Sequence, residues 1–267
     1  TKSGSRINFL IAGLLDRLYI CITIIQSLLM NKICVTIAAP DTIKLNNQIK
    51  KAFEMGADYV EIRFDFVKLV DLDKAIEVAR KVKKKAVFTL RSPYEEGRFE
   101  GDLTDRVNSL KKLAAVNPML LDVELDTIKR CNINEKTNLM DYFKKQENRL
   151  LVSWHNFKNT PSNKKLNTVL EEIRTYSNYA KLVTTANDIE DSLRILDLYK
   201  NTHGLILIAF AMGESGIISR IFSTLLKRTA SAPFTYAALE KRIAPGQLTL
   251  KQMKRLYNRI DLCSCSS

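Results

Sequence analysis

The chain of 267 residues is poor in the residues that mark special classes: nine glycines, six prolines, one tryptophan and two histidines. So little glycine and proline excludes collagen-like and low-complexity chains, and a hydrophobic fraction of 46% excludes broad disorder. Cysteine is scarce and scattered: Cys21, Cys34, Cys131, Cys263 and Cys265 are odd in number and form no C-x-x-C pair. That excludes a disulfide framework and points to a reducing compartment, the cytoplasm. Isolated histidines and distant cysteines offer no metal-ligand spacing, and Cys263-Ser264-Cys265 reads as an unstructured end. No apolar run reaches the roughly 20 residues of a membrane span. Acid is the minority charge, leaving a formal +13, so nucleic acid, an anionic membrane surface and a small acidic substrate are the partner classes to weigh.

Residues 1–30 differ from the rest. Ile7–Leu15 and Leu18–Met30 are apolar runs broken by Asp16-Arg17, and Lys2 and Arg6 precede them without an A-x-A cleavage site. We expect an atypical N-terminal extension here, with a helix plugging one end of the domain or a membrane anchor as alternatives. Residues 31–260 are expected to form one catalytic domain, and 261–267 a C-terminal tail.

From Lys32 a regular alternation begins. Short apolar or β-branched runs occur at Ile33–Ala38, Tyr59–Phe64, Ala86–Leu90, Met119–Val123, Leu150–Trp154, Ala180–Thr184 and Leu205–Phe210. Amphipathic stretches with helical spacing separate them, among them Leu72–Val82, Thr104–Ala115, Leu166–Tyr176 and Ile189–Tyr199. Apolar strands alternating with helices mean parallel βαβ units covered on both faces. An eighth, weaker strand is expected near Thr229–Ala232. Eight units predict an α/β chain folded as a single-domain (β/α)8 TIM-type barrel. An open doubly wound sheet is the alternative, without a G-x-G-x-x-G after any strand to support it.

A barrel gathers reactive side chains at the C-terminal ends of its strands. Glu61 and Arg63 alternate onto one strand face, and Arg91 and Glu95 follow the third run. Surface ion pairing is the competing reading for both pairs. His155 closes the fifth run, as a functional or a structural histidine, whereas His203 reads as solvated loop. Lys181 interrupts the sixth run. A lysine in a buried strand is costly unless it is used, and an apolar cavity favours the neutral amine that attacks carbonyls. A lysine snorkelling outward from the strand start is the alternative. After the seventh run, a glycine-bearing loop leads to Arg220 and offers an anion site.

Six segments, EIRFDF, FTLRSPYEEG, VSWHNF, YAKLVTTA, AMGESGIISR and APGQLTL, occur in an order that resembles type I 3-dehydroquinate dehydratase, the Schiff-base enzyme of the shikimate pathway. The resemblance runs from about Ile33 to Thr249. It implies that Lys181 forms the Schiff base, that His155 is the general acid and base, and that Glu95 partners the histidine. It further implies that Glu61, Arg63 and Arg91 hold substrate hydroxyls, and that Arg220 and Gln247 receive the substrate carboxylate. Three positions depart: Thr36 replaces a serine, Tyr236 replaces a phenylalanine, and Ile243 replaces a serine whose hydrogen bond it cannot make. The implied reaction is loss of water from 3-dehydroquinate without metal, nucleotide or prosthetic group. The implied assembly is a homodimer, with no membrane partner.

Two rivals differ in class. A class I aldolase-type barrel also uses a strand lysine, with Arg220 serving a phosphate. A nucleic-acid binder would use Arg80-Lys81-Val82-Lys83-Lys84-Lys85 and the six bases of Lys241–Arg259, but neither run interleaves the aromatics of a stacking platform.

Overall fold

The computed structural model describes residues 32–226 and 232–264, the last four of these by backbone alone. The expected extension at 1–30 lies outside the described residues. Eight strands alternate with helices: β1 (Ile33–Ile37), α1 (Thr42–Glu54), β2 (Tyr59–Arg63), α2 (Leu72–Arg80), β3 (Ala86–Thr89), α3 (Leu103–Ala114), β4 (Leu120–Glu124), α4 (Leu125–Arg130), α5 (Ile133–Lys145), β5 (Leu150–His155), α6 (Asn163–Arg174), β6 (Tyr179–Thr185), α7 (Ile189–Asp197), β7 (Ile206–Met212), α8 (Ile217–Phe222), β8 (Thr235–Ala238) and α9 (Leu250–Ser264). Every ladder is parallel, in the order β7-β6-β5-β4-β3-β2-β1-β8. The result is a nearly closed TIM-type barrel; among the described residues β7 and β8 share no ladder.

The helices start where short polar side chains satisfy free N–H groups. Asp41 accepts from Lys44, while Asp102 with Asp105 and Asn132 with Glu135 form reciprocal capping boxes. Their apolar faces pack on the outside of the sheet, as Leu45, Ile49 and Ala52 of α1 do with Leu110 and Leu113 of α3. Each fully buried leucine contributes about 1.5–3 kcal/mol of transfer free energy to that layer.

Alternation along the strands sorts the interior by height. Cys34, Val87, Leu120, Leu151 and Ile208 form a dry lower layer. Two residues higher on five of the strands stand Thr36, Thr89, Asp122, Ser153 and Phe210; all are buried, and all but the last are polar. The interior therefore changes from apolar to polar toward the C-terminal strand ends.

Two expectations need correction. The eighth strand is Thr235–Ala238, not 229–232. Pro233 cannot donate to a ladder, and the strand forms just beyond it, where Phe234 and Tyr236 fill the interior. The expected tail begins inside a helix, since α9 continues to Ser264; residues 265–267 lie outside the described residues.

Candidate active site

All ten candidate residues border one cavity at the C-terminal end of the barrel: Thr36, Glu61, Arg63, Arg91, Glu95, His155, Lys181, Arg220, Tyr236 and Gln247. The space measures about 720 Å³, counted to its open mouth. Phe157, Val183, Met212 and Ile243 supply apolar wall.

Lys181 stands mid-strand on β6 and is 4% exposed, which excludes the outward-snorkelling alternative. Its surroundings correct the expectation of an apolar cavity. Nζ donates to Glu61 Oε1 at 2.9 Å and to Asp122 Oδ2 at 3.0 Å, and it lies 4.4 Å from the ring centre of Tyr236. Burial opposes the charge on both carboxylates, yet Lys181, with Arg63 beside Glu61 and Arg91 beside Asp122, holds each below the ordinary range. Thr89 Oγ1 also donates to Glu61 Oε1, at 3.1 Å.

Arg91 is buried rather than paired at the surface. One guanidinium nitrogen bonds both oxygens of Asp122, at 3.0 and 2.9 Å; the other reaches Glu95 at 3.2 Å and Ser153 at 2.8 Å, and it lies 3.3 Å from Glu124. Burial works against this cation, but Asp122, Glu124 and Glu95 together raise its proton affinity above the ordinary value. Behind it Arg106 pairs with Glu124 and with the carbonyl of Leu90. Arg63 does not pair with Glu61. It makes a two-pronged bond to Asp65, at 2.8 and 2.7 Å, and Asp65 also accepts from the backbone of Arg91 and Arg98.

His155 Nδ1 sits 2.7 Å from Glu95 Oε2, and its ring stacks on Phe157. Nε2 is thus the nitrogen left to face a ligand. Burial pushes His155 well below 6.5, and Arg91, Lys181 and Arg63 push it the same way. Burial also pushes Glu95 up to about 8, against Arg91. The two share one proton along their bond, and the imidazole is neutral in the empty site. Burial and three nearby cations thus outweigh Glu95, a partner that by itself would favour the charged imidazole.

The β7–β8 side is built differently. Arg220 is 2% exposed, its planar head lies 4.2 Å from the Phe210 ring centre, and its Nε has no partner among the described residues. Burial alone lowers it to about 9. Helix α8 sets its position through Ser219, whose hydroxyl donates to Gly216 O at 2.7 Å and accepts from Ala211 N at 2.8 Å. A Cβ on Gly216 would meet two backbone oxygens at 2.4 Å, so only glycine allows this turn. The Tyr236 hydroxyl is also buried without a partner, and burial raises its pKa well above 10.

Gln247 closes the site from the loop after β8. Its carbonyl oxygen accepts from the backbone of Ile243 at 3.0 Å and Ala244 at 3.3 Å, and its amide reaches Thr36 Oγ1 at 3.4 Å. Ile243 thus holds the loop by its backbone while its side chain supplies apolar wall. Gly246, at φ 66°, packs where a Cβ would stand 2.0 Å from Gly213 O. The basic run Arg80–Lys85 lies before β3, at the opposite end of the barrel from the cavity.

Sequence reasoning missed Asp122, Glu124 and Ser153. The signal was available for the first two: Leu-Leu-Asp-Val-Glu puts acids inside an apolar strand, the same anomaly that flagged Lys181.

Comparison with known proteins agrees over nearly the whole barrel. The family model described as type I 3-dehydroquinase matches residues 33–262. A curated 3-dehydroquinate dehydratase from Pyrococcus abyssi is 36% identical over 218 residues, covering 80% of this chain and 94% of its own. One from Dehalococcoides mccartyi is 35% identical over 209 residues, covering 77% and 87%. The crystal structure of the 3-dehydroquinate dehydratase from Aquifex aeolicus superposes with a TM-score of 0.69 at 31% identity, covering 85% of this chain and 98% of that one.

Proposed function

This chain belongs to the type I 3-dehydroquinase family, and on that premise we propose a role for each group in its cavity. The reaction is the dehydration of 3-dehydroquinate in the shikimate pathway, the work of a hydro-lyase. Its chemical problem is to remove a proton next to a ketone and expel a β-hydroxyl. In this reading, the amine of Lys181 attacks the ketone carbon and forms an iminium, an electron sink for the developing carbanion. With Glu95 ionised and accepting from Nδ1–H, neutral His155 takes the α proton at Nε2 and returns it to the departing hydroxyl. Glu95 holds the imidazole by Nδ1 and shares its proton. Arg220 and the amide of Gln247 receive the substrate carboxylate, so that the ring is fixed with its reacting carbons toward Lys181 and His155. Thr36, Tyr236, Glu61 and Arg63 face the substrate's oxygens. Arg91, whose donors engage protein groups, acts chiefly by holding Asp122 and Glu95.

One observation carries this reading: a buried lysine and a buried guanidinium whose Nε has no partner among the described residues border the same cavity as a histidine that burial holds toward its neutral form. A lysine tied to two carboxylates has to release a proton before it attacks, and Glu61 and Asp122 are the acceptors in reach. A homodimer and a cytoplasmic location belong to the same proposal, supported by the family resemblance and by the free thiols of Cys34 and Cys131. Analytical ultracentrifugation tests the dimer. No helix among the described residues is long and apolar enough to cross a membrane.

The test is borohydride reduction in the presence of 3-dehydroquinate, read by peptide mass spectrometry. We expect a substrate-dependent adduct on Lys181, lost in Lys181→Ala together with turnover. Folded protein that turns over substrate without forming the adduct would overturn the assignment.

A further inference from the structure

Counting protons at Lys181 shows what its two carboxylates must do. The ammonium and the ketone combine to an iminium and water: the N–C bond forms, the ketone C–O bond breaks, and the oxygen departs with two of the three nitrogen protons. One N–H remains. The empty site presents two acceptors to that nitrogen, Glu61 Oε1 at 2.9 Å and Asp122 Oδ2 at 3.0 Å, and a planar iminium can keep only one of them.

The two carboxylates are not equivalent. Asp122 is 1% exposed and pinned: both of its oxygens accept from Arg91 Nη2, Oδ1 also accepts from Ser153 at 2.7 Å, and Oδ2 from Lys181. Every direction in which it could rotate breaks a bond. Glu61 receives both of its side-chain hydrogen bonds, from Thr89 and Lys181, on the single oxygen Oε1, and it carries one more rotatable bond. A pinned anion is suited to remain; a looser one is suited to carry a proton away.

We infer that Asp122 is the fixed counter-ion of the Schiff-base nitrogen, keeping its hydrogen bond from ammonium through iminium and so holding the imine protonated. This rests on the assignment of Lys181 as the Schiff-base residue. Once Glu61 has taken one proton, the N–H that stays on Asp122 keeps the neutral amine oriented for attack on the ketone carbon. Glu61 relays protons from the nitrogen to the departing oxygen. An adjacent anion favours the protonated partner by roughly 1–3 pKa units. Only the protonated imine withdraws electrons strongly enough to support the carbanion. The other groups facing the pair are Arg91 and Glu95 from the end of β3, Glu124 on β4, His155 on β5, and the neutral Cys34 and Tyr236 on β1 and β8.

The experiment is borohydride trapping with 3-dehydroquinate as a function of pH, on wild type and Asp122→Asn, with thermal unfolding as the folding check. Hydride reduces the protonated imine preferentially. In the variant, trapping should fall off at a pH about one unit or more lower, with kcat reduced about 10²- to 10³-fold and KM little changed. A crystal structure of the trapped wild-type adduct is the arm that does not depend on the variant folding. There Asp122 Oδ2 should stay within about 3.2 Å of the adduct nitrogen. A folded variant with the wild-type pH profile, or an adduct nitrogen beyond hydrogen-bond reach of Asp122, overturns the inference. Absence of any adduct in wild type overturns the Lys181 assignment and this inference together, whereas a normal wild-type adduct with an unchanged variant profile overturns this one alone.

Discussion

The two sides of the cavity are built on opposite plans. From β2 to β6, polar groups satisfy one another: Lys181 is held by two carboxylates, Arg91 touches three, and each acid has its donors. On the β7–β8 side, where the described ladder is interrupted, Arg220 Nε and the Tyr236 hydroxyl are buried without partners among the described residues. Buried polar atoms without partners cost about 1–3 kcal/mol each, and more for charged groups. A protein that carries this cost in its empty state recovers it when a ligand supplies the missing acceptor. The saturated side is therefore set for chemistry, needing fixed groups and shared protons, and the unsaturated side for binding an anion.

Substitutions should separate the two sides, and the largest effects belong to the saturated one. Lys181→Ala should leave no adduct and no measurable dehydration. His155→Ala should retain the adduct while slowing turnover about 10²- to 10⁴-fold, read by steady-state kinetics beside trapping. Should His155→Ala lose the adduct as well, the division of labour between the two residues fails. On the other side, Arg220→Ala should lower kcat/KM about 10- to 150-fold, matching a charge-assisted bond of roughly 1.5–3 kcal/mol, with most of the loss in KM. The variant should also gain thermal stability when empty, because a cation held down to about 9 by burial is gone. A drop in kcat alone would break the comparison.

The proton shared by Glu95 and His155 gives the next effect its sign. Glu95 is raised to about 8, so the pair keeps its shared proton up to that pH, and His155 gains a second proton only well below 6.5. Loss of that proton leaves Glu95 ionised, Nδ1–H donating to it and Nε2 free to accept, so we expect kcat/KM to rise as pH approaches about 8 and level off above it, and Glu95→Gln to abolish that limb. The same shift acts on stability. Folded Glu95 binds its proton more tightly than the unfolded carboxyl does, near 4.5, so its contribution is full below that value and is lost as pH rises through 8. His155, lowered in the fold, offsets this loss up to about pH 6.5, so denaturant midpoints should decline from about pH 6.5 to 8 in wild type, and decline less in Glu95→Gln. A midpoint that rises from about pH 6.5 to 8 would contradict the shift.

The barrel was legible because buried parallel strands must be apolar runs, and seven of them stand out by composition alone. The eighth was misplaced: with two alanines in four residues, its apolar signal is no stronger than that of the residues before it. Lys181 was legible as a polar interruption within a strand, and His155 and Arg63 as polar residues at strand ends. Asp122 was legible by the same rule but was passed over. The missing partner of Arg220 and the inverted shifts of His155 and Glu95 had no local signal. Both depend on which distant side chains converge, and Glu95 and His155 are 60 residues apart.

The smallest effect is also the most discriminating, because its two parts have opposite signs. The hydroxyl of Tyr236 is buried, without a partner among the described residues, and firmly protonated. Such a group can donate or accept, and among the described residues it does neither. Tyr236→Phe should therefore raise the stability of the empty enzyme by about 1 kcal/mol, the desolvation cost of an unsatisfied hydroxyl. If the hydroxyl bonds a substrate oxygen, the same change should raise KM about 2- to 10-fold, the worth of a neutral hydrogen bond. Thermal unfolding without ligand and steady-state kinetics read the two parts separately. A hydroxyl serving only the fold would give the reverse pattern, with stability lost and KM unmoved, and would move Tyr236 from the binding side of the cavity into its frame.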